Sequence, residues 1–250
     1  MEPVIQTTNP SKAYGPVSTY RRDLWPSRQD AMARFASSKF YQAWDSRVFD
    51  KWTEYGLREL PTEMYPDRGP KEWPVTLTTP KAQEVFSFLR PKYYGNPDIP
   101  PAEDRTVYGD MHPDDVEDYP FYRPEPAEAF RRLPELKPPV QYVFGERSEL
   151  SQPPSRRDKM HTTGIGVGGS GGQAMGRVQE AVLDAGHLVP MERVAECAEM
   201  AASFIQTELA RWESETRQWQ ETWLKTPRIE RITIDDRWRE EIGNRQPRKQ

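Results

Sequence analysis

The stretch VQEAVLDAGHLVPMERVAECAEMAASFI, residues 178–205, decides how this chain is read. Val178 to Leu183 is a short, largely apolar run of strand length. Asp-Ala-Gly-His follows, and a helical period begins near Met191. Gly186 lets the backbone turn tightly at that point. The chain has only three histidines, and His187 stands on this turn. Imidazole titrates near neutral pH, so a histidine at a strand tip can take a proton and return it. Spacing alone leaves two readings open: a general base, or a loop histidine bonded locally.

Upstream, PVQYVFG (139–145) is a second short strand closed by a glycine. Residues 146–163 are polar and partly helical in pattern. GIGVGGSGGQAMG (164–176) holds seven of the fifteen glycines and fits G-x-G-x-x-G twice, from Gly164 and from Gly166. A dinucleotide fingerprint needs a strand before it and a helix after it. Here a polar segment precedes and a strand follows, so a mobile loop is expected rather than a phosphate cradle. Downstream, the helical period runs through Val194, Ala198, Ala201, Ile205, Leu209, Trp212, Trp219 and Trp223. The three tryptophans share one face and predict a packing surface, covered by the chain's own cap or arm (Ile229, Ile232, Ile234 and Trp238) with a second copy at its edge, or by a second copy alone. RIERITIDDRW (228–238) reads as a strand-like arm.

The first half has a different texture. MEPVIQ resembles the end of a buried strand, and residues 7–25 read as loop. Ser27 predicts a helix to Ser38 with Ala31, Met32 and Phe35 inward. Asp45 to Tyr55 predicts another, with Val48, Phe49, Trp52 and Tyr55 on one face and Gly56 as a left-handed stop. Thr79-Pro80 opens a third, with Val85, Phe86 and Leu89 inward. Residues 91–123 read as a long loop and Glu125–Arg132 as a short helix.

Composition narrows the function. The 250 residues are 35% hydrophobic with 25 prolines and 11% aromatics, which fits a folded chain with long irregular segments. A net charge of −4 leaves no basic footprint for nucleic acid. Cys197 is the sole cysteine, so neither a disulfide framework nor a Cys-rich metal site is expected. His112 and His161 sit in polar stretches and read as solvated. So does the acidic run Asp110, Asp114, Asp115, Glu117 and Asp118, which lacks EF-hand spacing. No apolar run approaches the ~20 residues of a membrane span. Neither terminus carries a signal peptide or a Ser-Lys-Leu address, so cytoplasm or peroxisome is expected. No cofactor or metal is predicted.

The order PVQYVFGE, variable segment, VQEAVLDAGHLVPMERV and helix resembles the last third of an α/β-hydrolase. RRDLWPSRQDAMARFASSKFYQAWDSRVFDKWTEYGLRELPT is similar to the cap segment of a group of fungal α/β-hydrolases. TTGIGVGGSGG and GHLVPME also resemble that group, which includes acyl-CoA hydrolases of secondary-metabolite clusters, toxin-pathway hydrolases and the yeast peroxisomal lipase. The resemblance implies an α/β fold: a partial α/β-hydrolase with a helical cap plus the last strands and helix of the core. It implies a core-strand end at 1–10, a cap at 11–137, core at 138–210 and a helical extension at 211–250. It also implies hydrolysis of an ester or thioester, with His187 as base.

The hydrolase triad runs Ser, then acid, then His along the chain. Gly168, Ser170 and Gly172 match G-x-S-x-G by letters, but no buried strand precedes this serine. The nucleophile half of the sheet is therefore expected to lie outside this sequence, and the chain alone to be inactive. In the resembled group the acid ends a strand in an acidic-Pro pair, which MEPVI fits, making Glu2 the first candidate. Glu149, near the third position after the glycine of 140–145, is the second. A shortened, non-catalytic scaffold acting as an interaction protein is the alternative, with the Trp-bearing helix pairing two copies or docking a partner.

Overall fold

A computed structural model describes residues 15–67, 74–91, 98 and 121–243. The chain divides into two compact units, Met1–Glu199 and Met200–Gln250.

The first unit opens with helix α1 (Gly15–Tyr20) and the two-residue strand β1 (Leu24–Trp25), where the sequence pattern predicted only loop. Trp25 accounts for the difference: it is buried, and its backbone pairs with Val75 across an antiparallel register. Non-local pairing of this kind leaves no periodic trace in a two-residue segment. Strand β2 (Leu57–Glu59) adds to the other edge of β3 (Val75–Leu77), giving a three-stranded antiparallel sheet in the order β1-β3-β2.

Helices α2 (Arg28–Ala36), α3 (Lys39–Gln42) and α4 (Ser46–Tyr55) pack on this sheet. Ser27 caps α2 through a bond from Asp30 N, and Asp45 caps α4 through one from Arg47 N. Trp25, Ala31, Phe35, Leu57, Val75 and Leu77 form the core, with Tyr41, Phe49 and Trp52 against it. Arg28 ties the layer together by donating to the carbonyls of Thr53, Glu54 and Leu57. A guanidinium at the carbonyl end of α4 also complements the helix dipole.

Four expectations need correction here. Met32, Tyr55 and Phe86 were predicted inward and are exposed: helical spacing marks a face but not how far the neighbouring layer extends over it. Gly56 ends α4 with φ −75°, not in the left-handed region. Its glycine is required by crowding instead: a Cβ there would lie 2.9 Å from the Trp52 ring. Helix α5 (Lys81–Phe88) then leads to β4 (Arg90–Pro91), which pairs with β5 (Phe121–Tyr122). The acidic run 110–118, His112 and MEPVIQ lie outside the described residues.

Helix α6 (Glu125–Arg132) and a 3-10 turn, Leu133–Glu135, lead into β6 (Val140–Gly145). A second 3-10 turn, Glu149–Ser151, and helix α7 (Pro153–Thr162) cross over to β7 (Val178–Leu183). The two strands are parallel and in register from Val140↔Val178 to Gly145↔Leu183. Tyr142 and Phe144 point to the same face, stack at 5.6 Å, and pack with Met160 of α7. The Tyr142 hydroxyl shares a 2.7 Å hydrogen bond with Thr163, so its polar tip is satisfied inside the core.

The glycine tract is a specified structure rather than a loose linker. Gly164, Gly168, Gly171, Gly172 and Gly176 take positive φ. Backbone bonds from Gly164 N to Leu133 O, Gly166 N to Pro134 O and Ser170 N to Leu136 O fasten it to the segment before β6. Many glycines here meet many left-handed positions, which a composition count cannot separate from flexibility.

Helix α8 (Val189–Glu192) precedes the long helix α9 (Val194–Lys225), whose residues from Met200 on belong to the second unit. The arm expected as a strand is two helices, α10 (Arg228–Ile232) and α11 (Asp236–Ile242). Asp235 caps α11 by accepting from Trp238 N, and Pro227 starts α10. Those start signals outweigh the alternating Ile pattern that suggested a strand.

Candidate functional site

The site is built at the carboxyl ends of β6 and β7. Because the strands are parallel and in register, the loops after Gly145 and after Leu183 leave the sheet at the same edge. Open α/β sheets use that edge for ligands. The two loops are laced together: Glu146 N donates to Leu183 O at 2.8 Å and Arg147 N to Ala185 O at 3.0 Å. Gly145 permits this approach. A Cβ on it would press into the Gly186 carbonyl oxygen and lie 2.7 Å from the Ala185 oxygen.

Side chains lock the same turn. The Glu192 carboxylate accepts the Gly186 N–H with both oxygens at 3.0 Å. It also pairs with Arg147 at 3.2 Å, and Arg147 reaches Asp184 as well. Arg193 donates to the Asp184 carbonyl from Nε and Nη2 at 3.1 and 2.8 Å. His187 therefore sits half-buried in a tight, charge-clamped turn. A side chain held on such a turn needs little reorganisation to keep its position.

The other sequence candidates fall as follows. Glu149 lies exposed on the 3-10 turn after β6, at the same edge of the sheet as His187. Ser148, beside it, is buried and caps that turn by accepting from Leu150 N. Glu2 lies outside the described residues. His161 is exposed on the last turn of α7. Ser170 is fastened to the segment that enters β6, at the opposite end of the strand pair from His187. A six-residue strand is about 20 Å long, so Ser170 and His187 do not face one another. Burial pushes the Cys197 thiol up, which keeps it protonated and a weak nucleophile. Among the described residues, no group of three metal-ligating side chains converges. No described helix is long and apolar enough to cross a membrane.

Glu192, Arg147 and Arg193 were not singled out from the sequence. Glu192 is six residues from the amide it accepts and 45 from the arginine it pairs with. Neither spacing is a helix or strand period, so no local pattern marks it.

The N-terminal helices reach this turn. Asp45 N donates to Met191 O at 2.8 Å, which seats the start of α4 on the segment just after His187. The Asp45 carboxylate accepts the Arg47 guanidinium and the Arg47 amide, and these bonds hold its pKa down at about 2.

No family model matches the chain. Curated relatives do. A type I acyl-CoA thioesterase, mpaH′, of Penicillium brevicompactum is 35% identical over 246 residues, covering 88% of this chain and 55% of that protein. The abhydrolase domain-containing protein AFT2-1 of Alternaria alternata is 23% identical over 193 residues, covering 77% of this chain and 65% of that protein. Among solved structures, the peroxisomal α/β-hydrolase Lpx1 of Saccharomyces cerevisiae superimposes with a TM-score of 0.52 at 10% identity, over 93% of this chain and 50% of that one. The chain thus spans about half the length of the Penicillium relatives it matches.

Proposed function

We propose, starting from a chain that belongs to the fungal α/β-hydrolases, that its residues supply the proton-handling side of an ester- or thioester-hydrolysing site. His187 is the base and the later acid. A carboxylate at its Nδ1 orients it and stabilises the imidazolium, Glu2 being the first candidate and Glu149 the second. Residues 11–137 are the cap region of that reading. The observation that carries the reading is the Gly145–Gly186 clamp, which holds His187 at the carboxyl edge of two parallel strands. The thioester substrate class rests on the relatives named as acyl-CoA thioesterases. Cytoplasm or peroxisome is the compartment proposed with it.

Acyl transfer also needs a nucleophile and an oxyanion hole. The described residues contain no serine on a strand-to-helix elbow, so the 250-residue chain by itself is expected to leave short acyl esters and acyl-CoA untouched. The test is a chimera that joins this chain to the part of the Penicillium protein it does not match. Acyl-CoA turnover by the chimera should fall by about ten-thousand-fold on His187→Ala. Glu2→Gln should then cost far more than Glu149→Gln. A chimera whose turnover survives His187→Ala would sink the assignment, and the reverse acid ranking would move the orienting role to Glu149.

A second reading rests on α9. Trp212, Trp219 and Trp223 are exposed along one helix face. We propose a second copy of the chain as their cover, in an interaction role independent of catalysis.

A further inference from the structure

The first unit contains a cavity of about 720 Å³ between α1, α2 and the segment that follows α2. That size lies within the range of small-ligand pockets. Its wall carries three arginines, Arg21, Arg22 and Arg34, against one carboxylate, Glu84. Glu84 is already engaged by Arg21 at 2.8 Å and by the Ser18 hydroxyl at 2.7 Å. Among the described residues, Arg22 bonds through its Nε alone, to the Leu24 carbonyl. Arg34 has no hydrogen bond or ion pair among the described residues. The cavity therefore holds two guanidinium forks with donors to spare, in a chain whose net charge is −4.

The rest of the wall is aromatic. Phe40 and Tyr41 line it, 5.1 Å apart edge to face. Burial keeps the Tyr41 phenol above its ordinary range, so it stays a neutral donor. Trp25, also in the wall, has a buried indole N–H with no acceptor among the described residues. Tyr41 packs on Trp44 at 5.0 Å, and the next residue, Asp45, bonds to Met191 beside the His187 turn. Continuous packing thus joins the cavity to the proposed reaction edge.

We propose that this cap cavity holds the phosphorylated nucleotide end of an acyl thioester, with Arg22 and Arg34 on phosphate and Phe40 and Tyr41 beside the base. Guanidinium forks match phosphate and carboxylate alike. Two arginines with spare guanidinium donors next to aromatic rings fit a multiply charged, ring-bearing ligand better than the single carboxylate of an acyl group. The assignment rests on the thioester reading above.

Titration calorimetry on the 250-residue chain at low salt tests it, with adenosine 3′,5′-bisphosphate, adenosine, inorganic phosphate and glutarate as ligands. The bisphosphate should bind most tightly and adenosine not measurably. Affinity should fall as salt rises. The Arg22→Ala, Arg34→Ala double variant should raise the bisphosphate Kd by about tenfold or more. Both side chains are exposed, and an unchanged near-ultraviolet circular dichroism spectrum would show that the variant folds. Bisphosphate binding that ignores the double variant overturns the subsite, as does glutarate binding in its place. An active chimera with no bisphosphate binding sinks the subsite alone. Bisphosphate binding lost in the double variant, beside a chimera inert toward thioesters, keeps the subsite and sinks the thioester reading.

Discussion

Phe144 and Ala185, in the β6–β7 unit, are sealed from solvent, whereas Trp212, Trp219 and Trp223 along α9 are 60%, 63% and 47% exposed. Both regions carry large apolar side chains, and the contrast comes from how each backbone is satisfied. A helix closes its hydrogen bonds within itself, so α9 can form over 32 residues whatever lies beside it. A strand must find its bonds on a neighbour. The pairing of β6 with β7 brings two distant loops to one edge, and the clamp on His187 is a consequence of that pairing. Position is therefore built into the strand pair, while nothing in the backbone of α9 fixes what its exposed face meets.

The clamp is the place to break the first region. Gly145→Ala puts a methyl group against the Gly186 and Ala185 carbonyls, which are backbone atoms and cannot swing away. We expect a loss of about 3 kcal/mol by urea denaturation, at the upper end for overpacking. A variant with an unchanged unfolding midpoint would mean the loops are not held as tightly as their hydrogen bonds indicate.

Glu192→Ala should cost less. It removes the acceptor of the Gly186 N–H and leaves Arg147 with Asp184 alone. The Glu192 side chain is only 9% exposed, so water replaces it poorly. A loss of about 1–3 kcal/mol follows from an unsatisfied, largely buried donor. Hydrogen exchange at Gly186 should rise in step. Destabilisation without faster exchange there would assign Glu192 to some other contact.

These two residues also show what the sequence could carry. Both strands, the turn and His187 follow from apolar runs bounded by glycine, because the signals are adjacent in the chain. Helices α2, α4 and α6 were readable from Ser27, Asp45 and their periods for the same reason. Glu192, Arg147 and the Trp25–Val75 pairing depend on residues brought together only by folding. The left-handed glycines of 164–176 and the start of α10 at Pro227 were visible as letters. Their meaning depended on a competing signal, composition in one case and alternation in the other.

Acid offers a milder probe of the junction at Asp45. Its folded pKa is depressed to about 2 by the Arg47 bonds, against about 3.9 for an unperturbed aspartate. A depressed carboxylate contributes stability that is complete above the unfolded value and fades as pH falls through the folded one. The window is therefore about pH 4 down to 2. Asp45→Asn keeps a good helix cap but loses the charge partner. Its melting temperature should sit slightly below the wild type at pH 6 and converge with it near pH 2. A constant gap over that range would show that the carboxylate charge is not what matters at this position.

The smallest change in stability is expected at the tryptophan stripe. Trp219 and Trp223 stack on each other at 5.8 Å, and the Arg231 guanidinium lies 4.8 Å from the Trp223 ring centre. Ile229, Ile232, Ile234 and Trp238 of the following segment are exposed as well, so they do not form the cover that the sequence pattern suggested. Removing exposed rings costs a folded monomer little, within about 0.5 kcal/mol. Interfaces behave otherwise, because aromatic anchors carry much of their energy. The Trp219→Ala, Trp223→Ala variant should thus melt almost as the wild type does when both are dilute. By sedimentation at higher concentration, the wild type should run as a dimer and the variant as a monomer. Equal mass for both would reject the second copy as the cover of this face. A large fall in dilute melting temperature would instead place the two rings inside the fold, and the contrast with β6–β7 would disappear.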